Sequence, residues 1–403
     1  ERSGATKNYR MAIDLRSKGI MTDLFLGIAI LLFSAKLLGE LFERLNLSSL
    51  VGEIFAGILV GPILGLVAPS EELRMVTNFG IIFLLFLIGM STKFDEVKNN
   101  IYVGSALAIG GCTFAFLGGF FVGYLVFNSV QIGIILGVAV ISTSTAITLR
   151  SLTDIGVFQS KPYKLALAID IADEVIAILA LALLTSYFSL GSVKIWEIVT
   201  LFLAVLGFFF FILTAGSKIL GKFLTLFQTM RDEQIVLSIP LVILFFIAFV
   251  SEQVGIAAVT GAFLAGVAIN KSPLIEPVVV PKVKAMSYGF FIPIFFAYSA
   301  VLLDMKSIVT FFPVILALLA TVSVGKFLGC GFLAKYCGYN SFDQKLVGIG
   351  MIPHGEYSII IAQLALLGGF IKSDLYTIII GFVIISIVIT PVLLKMVSGK
   401  KRF

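Results

Sequence analysis

The sequence predicts an all-α polytopic membrane protein, on three observations: an apolar composition, apolar blocks of membrane-spanning length, and short polar segments between them. Of 403 residues, 59% are hydrophobic and 13% charged, the latter about half the charged share of a soluble globular domain. A soluble core of this size could not hide so much apolar surface, so lipid is the natural solvent. The apolar residues form thirteen blocks, near 22–42, 50–68, 77–92, 103–128, 131–150, 165–188, 195–217, 233–251, 256–270, 284–303, 307–336, 344–367 and 374–395. Their lengths suit helices crossing about 30 Å of hydrocarbon.

One membrane unit, 21–403, accounts for the chain. Residues 1–20, ERSGATKNYRMAIDLRSKGI, form a polar extension without the apolar stretch of a signal peptide, ahead of a plausible start at Met21. Two readings stay open, a non-native extension and an external tail.

The net charge of +6 does not point to nucleic acid, because the basic residues are scattered over short loops without an aromatic stripe. It reads as an orientation signal. With the N-terminus outside, the inner loops collect Arg44, Lys93, Lys98, Arg150, Lys161, Lys164, Lys218, Lys222, Arg231, Lys271, Lys282, Lys284, Lys335 and Lys345, and the tail adds Lys395, Lys400, Lys401 and Arg402. Only Arg74, Lys194, Lys306 and Lys372 fall outside beyond the extension. The expectation is a multi-pass protein of the plasma membrane with a cytoplasmic C-terminus. Cys112, Cys330 and Cys337 are an odd set, two of them inside apolar blocks, and imply neither a disulfide framework nor a transition-metal cluster.

An internal repeat organises the chain. Val51-Gly-Glu-Ile-Phe-Ala-Gly-Ile-Leu-Val60 is echoed by Val259-Thr-Gly-Ala-Phe-Leu-Ala-Gly-Val-Ala268, an offset of 208 residues. At the same offset, the polar interruption Ile141-Ser-Thr-Ser-Thr-Ala-Ile-Thr148 lands on Ile349-Gly-Met-Ile-Pro-His-Gly-Glu356. The second copy starts seven helices after the first, and an odd number inverts it. Inverted repeats are a scaffold of secondary transporters, with the substrate site near the midplane between broken helices. Hydroxyls of Ser142, Thr143, Ser144, Thr145 and Thr148 suit one break, and Pro353 with Gly350 and Gly355 unwinds the other. Ser and Thr also bond back to their own helix, the plainer reading of the first segment.

A charge near the bilayer centre costs at least about 2.5–3.5 kcal/mol, so each one needs a reason. Asp170, Asp173 and Glu174 lie in one block, on one sector of a helix. Entering from the cytoplasm near Leu165, the helix puts the adjacent pair about 12 Å deep, with Asp170 shallower, lining a water-filled entrance. Adjacent carboxylates in low dielectric cannot both stay ionised without a cation. A sodium or lithium ion supplies that compensation, as do protons, and competition between them is the chemistry of an antiporter. Lys326, inside another apolar block, is the natural partner of one acid. Glu356 in the second break is placed to neutralise half-helix N-termini, and His354, the only histidine, titrates near neutral pH when unperturbed. Glu53 and a Lys36/Glu40 pair read as structural.

Together these motifs resemble the monovalent cation/proton antiporters, in the branch holding NapA-type sodium/proton exchangers and Kef potassium efflux systems. The likeness runs from about Asn46 onward through Gly52-Glu-Ile-Phe-Ala-Gly-Ile-Leu-Val-Gly-Pro62, Phe83-Leu-Leu-Phe-Leu-Ile-Gly89, Thr143-Ser-Thr-Ala-Ile-Thr148, Leu152-Thr-Asp-Ile-Gly156, Ala172-Asp-Glu-Val-Ile-Ala177, Gly325-Lys-Phe-Leu-Gly-Cys-Gly331 and Gly350-Met-Ile-Pro-His-Gly-Glu356. The resemblance implies an NhaA-like antiporter fold with two crossing broken helices. It implies that Glu174 is the essential ion-binding carboxylate, that Asp173 pairs with Lys326 when no ion is bound, and that Thr143 and Ser144 add oxygens to the ion. It also implies a homodimer in which a core part, about 103–188 and 307–395, moves elevator-like against a dimerisation part, about 22–92 and 233–303, joined by a helix at about 195–217.

Three positions depart from the pattern: Glu174 stands where NapA-type proteins carry Asp, Asp170 is an additional acid, and His354 replaces the usual arginine. The expected function is electrogenic exchange of sodium or lithium for protons, with no cofactor. Kef-type potassium/proton exchange is the alternative, disfavoured because the chain lacks the Gln-Asp pair and nucleotide-binding domain of that type. A sodium-coupled solute symporter lacks a basic or aromatic pocket near 142–148, and a gated channel would conduct without proton coupling. No nucleophile, phosphate loop or ligand cluster argues for an enzyme.

Overall fold

The computed structural model describes residues 24–45, 48–91, 100–190, 235–253, 258–270 and 278–398, together with positions 203, 207, 210–212 and 214. Every regular element among them is helical. In chain order these are α1 (Leu24–Arg44), α2 (Ser49–Ile63), α3 (Glu71–Ser91), α4 (Ile101–Phe127), α5 (Val130–Ala139), α6 (Thr145–Asp154), α7 (Lys161–Leu190) and α8 (Ile235–Gln253). They continue with α9 (Ala258–Asn270), α10 (Val280–Val301), α11 (Met305–Thr310), α12 (Phe312–Cys337), α13 (Ser341–Gly350), α14 (Glu356–Leu367) and α15 (Ser373–Ser398).

Each expected apolar block carries helix except 195–217, which falls almost wholly outside the described residues, as does the extension 1–20. Six helices, α1, α3, α4, α10, α12 and α15, are both long and apolar enough to cross a membrane. Two blocks expected as spans, 131–150 and 344–367, are each a pair of short helices, α5/α6 and α13/α14, with non-helical chain between them. The α3 helix starts earlier than its apolar block, because the Ser70 hydroxyl accepts from the Leu73 amide at 3.2 Å and Glu71 and Glu72 suit the positive end of the helix.

Shifted by 208 positions, α1 to α7 fall in order on α8, α9, α10, α12, α13, α14 and α15, with described starts displaced by one to four residues. The duplication first visible in two short motifs thus extends over seven helices.

The chain divides into two compact units, one of residues up to Ile81 with Met286–Leu303, the other of Ile82–Ala285 with Asp304 onward. In the first, Leu31, Ala35, Ala56, Val60, Leu73, Ile294, Ala297 and Tyr298 form the core. Gly57 lies so close to the Ala297 carbonyl that a Cβ has no room, the close backbone approach small residues permit between membrane helices. Lys36 pairs with Glu53 at 3.7 Å rather than with Glu40, which is taken by Arg44 at 2.9 Å. The buried Glu53 carboxylate needs the cation more than an exposed one does.

In the second unit α4 packs against α5, α7 and α12, around Leu107, Ala108, Leu165, Ile169, Cys330 and Met351. Gly329, in the π-helical turn Phe327–Phe332 of α12, sits against the backbone of Gly111 with no space for a side chain. This contact holds α12 against α4 just beyond Lys326, which is fully buried.

Candidate functional site

The two broken segments cross, and many of the backbone groups that their unwinding frees find partners at the crossing. The Ser144 amide donates to Pro353 O at 2.7 Å. The Thr143 hydroxyl donates to Met351 O at 3.2 Å, the Thr148 hydroxyl to Gly350 O at 2.7 Å, and the Ser358 hydroxyl to Ala139 O at 2.6 Å. From Ala139 to Thr148 along the first segment the partners run from Ser358 back to Gly350, with one step forward between Thr143 and Ser144, so the repeats cross antiparallel. Thr143 meets the residue 208 positions on, its own repeat equivalent, which puts the pseudo-twofold axis at that contact. Pro353, which has no amide to satisfy, sits in the middle of the second break.

Two half-helices end at this crossing and two begin. Around the C-terminal ends of α5 and α13, carbonyls face cations or ring nitrogens. Lys326 Nζ donates to Ile141 O, and the ring nitrogens of His354 lie 2.7 Å from Ile352 O and 2.8 Å from Val140 O. At the N-terminal ends of α6 and α14 stand carboxylates. The Thr145 hydroxyl donates to Glu174 Oε1 at 3.0 Å, and the Ser144 hydroxyl to Glu356 Oε2 at 3.3 Å. Each charge thus matches the sign of the helix dipole it meets.

The three acids of α7 have unequal surroundings. Asp173 is fully buried and accepts three donors: Lys326 Nζ at 2.8 Å, the Thr143 amide at 2.9 Å and Cys112 Sγ at 2.8 Å. Glu174 is 8% exposed and carries the Thr145 contact, so most of its acceptor capacity is open. Asp170, expected at a water-filled entrance, is 1% exposed, and neither of its oxygens has a partner.

The structure therefore brings Asp173, Glu174, Lys326, Thr143, Ser144, Pro353, His354 and Glu356 to one crossing. The assignment of oxygens differs in detail from the expectation. The Thr143 side chain is turned to Met351 and its amide serves Asp173, while the hydroxyl on Glu174 belongs to Thr145. Cys112, given no role in the sequence analysis beyond excluding a disulfide framework or metal cluster, donates to the central carboxylate; its place in an apolar block gave no sign of a residue 61 positions away.

A family model described as "Sodium/hydrogen exchanger, transmembrane" matches residues 28–398. The chain belongs to this sodium/hydrogen exchanger family. It is 31% identical over 380 residues to the Na(+)/H(+)-K(+) antiporter GerN of Bacillus cereus, covering 94% of this chain and 97% of that one. It is 25% identical to the high-affinity Na(+)/H(+) antiporter NhaS3 of a Synechocystis strain, covering 95% and 92%. Among solved structures, the sodium proton antiporter MjNhaP1 of Methanocaldococcus jannaschii superimposes with a TM-score of 0.76 at 15% identity, over 94% of this chain and 99% of that one. At that identity the likeness is one of fold. The family match and the shared fold bear out the resemblance read from the motifs, and the exchanger fold, an inverted repeat with crossing broken helices, is the one found here.

Proposed function

We propose that this exchanger moves sodium or lithium ions against protons by competition at Asp173 and Glu174. The observation that carries the reading is the inequality of the pair. Asp173 is neutralised by Lys326 and held by two further donors. Glu174 stands at the converging half-helix N-termini with a single hydroxyl and open acceptor sites. Glu356, bonded through the neighbouring Ser144, supplies a second carboxylate on the same side, and the hydroxyls of Ser144 and Thr145 complete an oxygen-rich surround for a hard monovalent cation. The names of the relatives, several of them Na(+)/H(+) antiporters, support the same cargo and a transporter rather than an enzyme.

In this reading an arriving ion displaces protons from the pair, and the part spanning about 103–188 and 307–395 reorients, elevator-like, only when loaded. Exchange of two protons for one sodium ion moves one net charge, worth about 2.3 kcal/mol per 100 mV, or roughly a 50-fold sodium gradient. The protein works as a homodimer in a plasma membrane, N-terminus outside and C-terminus cytoplasmic.

Potassium is the second candidate cargo. The name of GerN includes it, and the K(+) efflux antiporter 4 of Arabidopsis thaliana is 26% identical over 96% of this chain. Proteoliposomes holding an imposed pH gradient decide between them: sodium and lithium are expected to dissipate it and potassium to do so weakly. Glu174→Ala is expected to reduce the response to background, and sodium-driven proton flux surviving in that variant rejects the site.

A further inference from the structure

Asp170 stands out among the buried ionisable groups. Asp173 has three donors, Glu174 and Glu356 each have a hydroxyl, Lys326 has a carboxylate and a carbonyl, and Glu53 has Lys36. Asp170 is equally buried, and both its oxygens are bare. An ionised carboxylate in that setting, without donor or cation, is the costliest state open to it, so a group so placed neutralises. Asp170 is the one buried carboxylate among the described residues with neither oxygen bonded, and a buried polar group left unsatisfied calls for an explanation.

The surroundings make the neutral form responsive to the transport cycle. Asp170 interacts electrostatically with Asp173 and Glu174 on its own helix, with Lys326 and Cys330 on α12 and with Glu356 on α14. Lys326 is the only lysine or arginine in the buried set among the described residues, and Asp173 occupies it. An event that releases Lys326 from Asp173 brings a cation to bear on a carboxyl one helical turn away.

We propose that Asp170 is a separate proton-carrying site: it holds a proton while Lys326 is bound to Asp173 and gives that proton to water when the bridge opens. The carboxyl O–H bond breaks, the proton leaves, and Lys326 balances the carboxylate that remains. This rests on the carboxylate-pair reading of the exchanger and adds one proton per cycle to whatever the pair itself exchanges.

Two measurements on the full-length protein test it. Infrared spectra in H2O and D2O are expected to show, in the difference between resting wild type and Asp170→Asn, one protonated-carboxyl band contributed by wild type alone, beyond whatever the carboxylate pair gives in both proteins. In proteoliposomes, the gradients at which sodium flux reverses are expected to give one proton fewer per sodium ion for Asp170→Asn, with Asp170→Glu restoring the wild-type count. A difference spectrum without that band, or an unchanged proton count, overturns the proposal. A folded but inactive Asp170→Asn is decided by the band alone, and Asp170→Leu, matched to apolar neighbours such as Ile169, replaces it if the amide does not fold. The infrared arm does not depend on sodium exchange, so a failure of Glu174 as the ion site leaves it readable.

Discussion

The two poles of the crossing use the same device, a broken helix end, to opposite purposes. At the pole of helix C-termini, the Lys326 ammonium and the His354 ring reach the freed carbonyls of Ile141, Val140 and Ile352, and the charge on Lys326 is met by Asp173. At the pole of helix N-termini, Glu174 and Glu356 each have one hydroxyl and unmet acceptor capacity. A saturated pole contributes to holding the fold, whereas an unsaturated one is free to bind a cation. The contrast predicts that substitutions at the first pole register in stability, beside any effect of Lys326 on the proton count, and that those at the second register in the sodium dependence of exchange with little change in stability.

The largest stability effect is expected at Lys326. Replacing it with alanine strands a fully buried carboxylate on Asp173 and removes the donor to Ile141 O, and breaking a buried pair from one side typically costs about 3–5 kcal/mol. Thermal unfolding of the purified protein measures it. A Lys326→Ala protein as stable as wild type breaks the comparison at its strongest point. Next comes His354→Leu, which fills similar space but removes the ring N–H, which in a neutral imidazole donates to one of Val140 O and Ile352 O, for an expected loss of about 1–2 kcal/mol. Its half-maximal sodium concentration is expected to stay at the wild-type value, since no carboxylate is bonded to the ring. A shift in sodium dependence without loss of stability would move His354 from the structural pole to the binding one.

How much of this was legible in the sequence follows from what is local. The acids of α7 could be placed on one sector because helical spacing alone decides it, and the breaks could be found because Ser/Thr and Pro/Gly interrupt apolar runs. The offset of 208 even paired Thr143 with Met351, although as a repeat relation rather than a contact. What the sequence could not supply was orientation at the crossing. Whether Thr143 offers Asp173 its amide or its hydroxyl depends on backbone angles in a non-helical stretch. Whether Cys112 reaches Asp173 depends on how α4 packs against α7. Asp170 shows the same limit from the other side: its place on the acidic sector of α7 was readable, while the neighbours that bury it were not. The exchange of partners among Lys36, Glu40, Arg44 and Glu53 depends on how α1 packs against α2, which helical spacing within α1 does not show.

The smallest expected effect is the sharpest discriminator of the two poles. Thr145→Val keeps the branched shape at the first position of α6 and removes only the hydroxyl that donates to Glu174 at 3.0 Å. The Glu174 carboxylate lies at a position that is 8% exposed, so water replaces part of the lost bond and stability is expected to change little. The hydroxyl can also turn its lone pairs toward a bound cation, which valine cannot do. Losing one such contact, about 1 kcal/mol, corresponds to roughly a fivefold rise in the half-maximal sodium concentration, with maximal exchange rate retained. Serine at the same position restores the oxygen and is expected to restore the affinity. A rise in Thr145→Val that serine does not reverse would trace the effect to packing at the start of α6, and the open pole would then lose its claim to the ion.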